Sequence, residues 1–224
     1  MFHDISYLLM GVLNDSWRLL PLLLLALLVQ SSWYKKILWK QKVSYWIKKY
    51  LDPNTYYPVR NVVLPTEYGN LVFDYIIVSV YGVFVIETIY LPGMISGGEN
   101  DSAWKRRVNG KETELKNLSK VIGKHARLLA KLLRLPKDKV NPILICLGEC
   151  EFGSQMSDYI VQDDHFVRYI LSCEKLPLTV NDVQNILGII NSNQLPVLFK
   201  KLSSKKRKAG NGDPENIQRT SEHT

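Results

Sequence analysis

Two consecutive stretches, residues 71–80 and 83–90, carry β-branched, aromatic and aliphatic side chains at nearly every position and meet at Tyr81-Gly82. Side chains alternate between the two faces of a strand, so a stretch apolar at both parities is covered on both sides. The pair predicts a hairpin at the centre of a layered fold. With Tyr81 and Gly82 as the two loop residues, Asp74 faces Ile89 and Glu87 faces Ile76. Val72, Ile76, Val78, Val83 and Val85 then share a face with both acids, and Phe73, Tyr75, Ile77, Phe84 and Ile86 form the other. Carboxylates on an apolar face need a reason. Either Asp74 and Glu87 reach water or a lysine at the sheet end, or, lying diagonal to one another, they hold Mg²⁺ or Mn²⁺ against a phosphate.

The surroundings of the hairpin predict a mixed α/β fold, with strands flanked by helices. A short strand is expected over 59–64, and another over 104–108 before the turn at Asn109-Gly110. From 114 to 134, apolar residues recur at Leu118, Val121, Ile122, Leu128, Leu129, Leu132 and Leu133, the spacing of a long amphipathic helix. A buried strand follows over 141–147, then helices over 164–172 and 180–191, the last capped near Thr179 or Asn181. Three cysteines, Cys146, Cys150 and Cys173, are too few and too scattered for a disulfide scaffold and lack zinc-site spacing.

The net charge of +8 is unevenly placed. Residues 35–49 and 200–208 hold 12 of the 29 Lys and Arg, whereas 52–199 contain 15 basic and 16 acidic residues. A basic isoelectric point is therefore no nucleic-acid signature of the globular part. Ahead of the first basic cluster, residues 19–29 contain no polar side chain. Continued to Tyr34 the run is 16 residues, roughly 24 Å as a helix, which crosses a bilayer that thins locally. Trp17 on one side and Trp33-Tyr34 on the other sit where interfacial aromatics belong. A cleaved signal peptide fits less well, because Asp4 and Asp15 occupy the region that should be basic. The lysines after the run place the N-terminus outside and the rest in the cytoplasm. The expected organisation is an N-terminal segment at 1–18, a transmembrane helix at 19–34, a basic juxtamembrane helix at 35–51 against anionic lipids, a globular domain at 52–202 and a disordered basic tail at 203–224. In that tail Lys205, Lys206, Arg207 and Lys208 would contact nucleic acid or lipid.

Asp74-Tyr75-Ile76-Ile77-Val78-Ser79, Gly82-Val83-Phe84-Val85-Ile86-Glu87-Thr88, Pro92-Gly93 and Trp104, with Asn117 and His125 further on, resemble the nuclease-related domain family. That family is grouped with the restriction-endonuclease-like PD-(D/E)xK fold. The resemblance covers about Tyr56 to Asn193 and implies a metal-dependent nuclease fold, with Asp74 and Glu87 as ligands of Mg²⁺ or Mn²⁺. It also implies a lysine two residues after the glutamate, where this chain has Ile89. Further departures are Val72, Tyr75 and Val121 at positions the family fills with Gln, His and Gln. Lys120 or Lys124 on the long helix could replace the lost lysine, while His125 reads more readily as a polar helix residue than as a ligand. Three functions follow: a membrane-anchored nuclease-like protein that binds DNA with catalysis weakened or lost, an active Mg²⁺-dependent endonuclease using Asp74, Glu87 and a migrated lysine, or a membrane scaffold with no nucleic-acid partner.

Overall fold

The computed structural model describes residues 31–66, 69–154, 156–173 and 178–194. Most of the apolar run at 19–34, and the whole basic tail with Lys205, Lys206, Arg207 and Lys208, lie outside the described residues. Among the described residues no helix is long and apolar enough to cross a membrane. The chain divides into two compact units, Met1–Tyr45 and Trp46–Thr224. Helix α1 (Ser32–Tyr50) starts in the first and ends in the second. In the first unit Lys42 Nζ lies 4.0 Å over the Trp39 ring, a cation–π contact that occupies one of the basic side chains.

The second unit is built on a five-stranded sheet of order β1-β2-β3-β7-β9 and a four-stranded sheet of order β6-β5-β4-β8. In the larger sheet β1 (Tyr56–Thr66), β2 (Gly69–Ser79) and β3 (Gly82–Tyr90) run antiparallel in turn. Strands β7 (Val140–Leu147) and β9 (Ile160–Gln162) then add in parallel. The smaller sheet joins β4 (Gly93–Ser96), β5 (Ala103–Val108), β6 (Lys111–Lys116) and β8 (Cys150–Phe152). Val78, Val83, Phe84 and Ile86 are all fully buried, so the hairpin is central as its composition requires.

The hairpin loop is Val80-Tyr81, one residue earlier than expected, with Ser79 opposite Gly82 and Tyr75 opposite Ile86. Gly82 has φ 136, a backbone that side-chain-bearing residues avoid. A Cβ there would also lie 3.1 Å from Asn141 Nδ2 and 3.2 Å from the Lys139 carbonyl. This glycine therefore belongs at the strand entry and not in the loop.

A second difference concerns the faces of β2. Leu71 and Phe73 share one buried cluster with Ile76 and Val78, so the inward set changes parity between 73 and 76. Pairing with β1 steps over Asn61 and Asp74, and Asn61 adopts φ 49. Both strands change parity together while the one-to-one register is kept on either side, so a paired local twist re-aims side chains without adding a residue to either strand. The expected grouping of Phe73 with Ile77 and Phe84 is corrected accordingly, as are the expected pairings of Asp74 with Ile89 and of Glu87 with Ile76, since Ile76 lies opposite Val85.

Helix α2 (Leu118–Leu133) begins four residues after the expected start, with Asn117 as its N-cap. The preceding Glu114–Lys116 stretch pairs with β5 instead. Asn109 (φ 49) and Gly110 (φ 78) form a turn with positive φ at both central residues, which matches strand twist and sets the next residues against β5 as a hairpin. Helices α3 (His165–Ser172) and α4 (Val180–Asn193) follow. The face of α2 bearing Ala126, Leu129 and Leu133 covers Ile76, Val78, Val83 and Val85 together with Val183, Ile186 and Ile190 of α4.

A capping box starts α4: Asp182 N–H donates to Thr179 Oγ1 at 3.1 Å, and Thr179 N–H and Oγ1–H donate to Asp182 Oδ2 at 2.9 and 2.7 Å. Thr179→Ala is expected to cost about 1 kcal/mol in urea denaturation. The Thr179 hydroxyl and amide hold the Asp182 carboxyl below its ordinary value of 3.8. Its contribution is complete above that value and is lost as pH falls through the lower folded-state value.

Cys146 and Cys150 are buried free thiols of one apolar cluster. The Cys150 thiol, then burial, push the Cys146 thiol well above the ordinary range, so Cys146 stays protonated.

Candidate functional site

At this parity change the β2–β3 ladder passes from backbone to side chain. Thr88 N–H donates to Asp74 Oδ2 at 2.8 Å, and the Thr88 hydroxyl donates to the same oxygen at 2.7 Å. The carboxylate thus stands in for a strand carbonyl just past the Tyr75–Ile86 pair. Beyond it β3 continues on its other edge, with Thr88, Ile89 and Tyr90 opposite Ile145, Cys146 and Leu147. This divergence brings Asp74 beside the residue that follows Glu87.

Glu87 is only 8% exposed. Its Oε1 lies 2.5 Å from Nδ1 of His125 on α2. A carboxylate accepts, so this geometry puts the imidazole proton on Nδ1. The Phe73 ring meets the imidazole edge-on, with centroids 6.2 Å apart and planes at 84°. The parity change makes this contact possible by turning Phe73 to the helix side. His125, read from the sequence as a polar helix residue, is the partner of Glu87. Its signal was its place in the repeat: Leu118, Val121 or Ile122, His125, Leu128 or Leu129 and Leu132 follow one apolar spacing. A polar side chain at a position that the helix buries needs a partner.

Asn117 organises the neighbouring loop. Its Oδ1 accepts from Lys120 N–H at 3.2 Å, and its Nδ2 donates to the carbonyls of Gly98, Glu99 and Asp101 at 3.2, 2.9 and 2.7 Å. Lys120, one of two candidates for a migrated cation, donates from Nζ to the Asn100 carbonyl at 3.0 Å. Lys124, the other, is exposed on α2. Ile89 is partly buried against the cluster of Leu91, Ile95, Trp104 and Ile122.

Two carboxylates from adjacent strands are the hard oxygen donors that Mg²⁺ or Mn²⁺ takes beside a phosphate. Among the described residues no group of three or more His, Cys, Asp or Glu could hold a metal ion. Two carboxylates alone do not cage such an ion, and each is already engaged by a different partner, Asp74 by Thr88 and Glu87 by His125.

A family model described as the nuclease-related domain matches residues 35–147, half of the chain, and takes in both carboxylates, Ile89 and His125. The chain belongs to the nuclease-related domain family. It is also similar to an uncharacterized protein of Bacillus anthracis, at 32% identity over 146 residues. That match covers 65% of this chain and 62% of the relative, so the chain spans about three fifths of the relative's length. No solved structure matches it. Membership in a nuclease-related family points to work on nucleic acid. Asp74 and Glu87 are the acidic residues of the five-stranded sheet of this nuclease-related domain.

Proposed function

We propose that this nuclease-related domain binds nucleic acid with phosphodiester hydrolysis weakened or lost, and that the apolar run at 19–34 tethers it to a membrane. The observation that carries the reading is Ile89. It follows Glu87 by two residues and gives its aliphatic group to the apolar cluster around Trp104, where a nuclease of this kind needs a cation. A group that stabilises developing phosphoryl charge typically supplies 10²–10³ in rate.

Asp74 and Glu87 would hold Mg²⁺ or Mn²⁺ jointly with a phosphate, and the ion, when bound, polarises a phosphoryl oxygen. The chain's own groups do the rest. Thr88 orients the Asp74 carboxylate through two donors, and His125 orients Glu87. Lys120 is tied to the Asn100 carbonyl. The lysines of α1 suit anionic headgroups next to the proposed tether, with 1–18 outside and 35–224 in the cytoplasm.

The test is plasmid nicking by the full chain with Mg²⁺ or Mn²⁺. The expected rate is within a few-fold of the metal-only background. Robust cleavage that disappears in Asp74→Ala and Glu87→Ala would establish instead an active nuclease whose cation comes from elsewhere.

A further inference from the structure

We propose that the outward face of α2 is a docking track for the phosphate backbone of nucleic acid, separate from Asp74 and Glu87. The proposal rests on the nucleic-acid reading above and names the surface that would carry it. Lys120, Lys124, Arg127 and Lys131 follow one another at steps of four, three and four, and all are exposed. At about 100° per residue they fall in a stripe about 60° wide and about 17 Å long. Arg134, the exposed C-cap, continues it. The opposite side of the helix, with Ile122, Ala126, Leu129 and Leu133, is buried. His125, which meets Glu87, lies about 130° round the helix from the centre of the stripe.

A solvated helix face ordinarily mixes signs, because Glu and Lys at i, i+4 stabilise each other and like charges there repel. Helix α2 contains no acidic residue, so each neighbouring pair along the stripe is repulsive. The segment 52–199 has 15 basic and 16 acidic residues, so four aligned cations with no acid between them are a local concentration and not a share of general basicity. A narrow line of cations complements a linear polyanion. A lipid surface suits it less well, because a membrane-surface helix buries its apolar side among headgroups and that side of α2 is inside the core.

Four phosphate contacts contribute about −3.6 to the slope of log K against log salt on duplex DNA, and about −2.8 on a single strand. The test is anisotropy of a labelled duplex titrated with the full chain from about 50 to 300 mM salt. Two triple variants are compared. Lys124→Gln, Arg127→Gln and Lys131→Gln remove the track, and glutamine keeps helix propensity. Lys111→Gln, Lys137→Gln and Arg168→Gln remove the same charge from exposed positions elsewhere. The track variant is expected to lose about 2.7 from the slope and at least tenfold in affinity at 150 mM salt, uniformly across sequences, while the control changes little. Equal losses in both would reduce the effect to net charge and overturn the proposal. Unchanged binding by the track variant would also overturn it while leaving the nucleic-acid reading intact. A wild-type chain that does not bind DNA would remove both readings, and a track needed for phosphatidylserine vesicles and not for DNA would overturn this proposal alone.

Discussion

Truncating Trp104 to alanine is expected to lower stability by about 3–5 kcal/mol in urea denaturation followed by circular dichroism. Trp104 is fully buried and belongs to β5, yet its cluster includes Ile122 of α2 and Leu144 and Cys146 of β7. One side chain therefore ties the smaller sheet to the larger one and to the helix that carries His125. Its Nε1–H donates to the Gly98 carbonyl at 3.0 Å, the same carbonyl that accepts from Asn117. Gly97 lies so close that a Cβ there would fall within van der Waals contact of the indole. Trp104→Phe should recover most of the packing and lose the Gly98 hydrogen bond, placing it between wild type and alanine. A Trp104→Ala cost below about 1 kcal/mol would mean that the cluster collapses around the gap and does not join the layers.

His125→Ala is expected to cost about 1.5–3 kcal/mol, the range for a hydrogen bond to a charged group. Much of that cost is the penalty of taking a donor from a carboxylate that is 8% exposed. Combining His125→Ala with Glu87→Leu should therefore destabilise by less than the sum of the two single variants, by a coupling energy above about 1 kcal/mol. Additive costs would mean that the 2.5 Å contact contributes nothing to the fold. The Phe73 ring packs against the same imidazole, so Glu87→Gln serves as a milder control that leaves the side-chain shape in place.

Much of this architecture was legible in the residues because it is set locally. The unbroken apolarity of β2 and β3 announces a covered central hairpin, and the 3.6-residue repeat announces α2. Thr179 and Asp182, spaced as a capping box, mark the start of α4. The kinship to a nuclease-related family was legible from the order of Asp74, Glu87, Pro92-Gly93 and Trp104, and residues 35–147 match that family. The start of α2 was misjudged because Glu114–Lys116 suit either state, and the turn at Asn109-Gly110 decided for strand.

The candidate site divides along the same line. The sequence by itself determined which groups are available: two acids on neighbouring strands, an isoleucine where a lysine is expected, a histidine at an apolar position of a helix and four cations at helical spacing. Tertiary structure alone decided how they meet. The parity change at Asn61 and Asp74 turns Phe73 toward the helix and gives the Asp74 carboxylate to Thr88. Packing of α2 on the sheet brings His125 to Glu87, 38 residues away in sequence. Periodicity is a property of a few consecutive residues and survives any arrangement of the elements, whereas a paired parity change and a helix–strand contact depend on how separate elements fill one core, which no local pattern encodes.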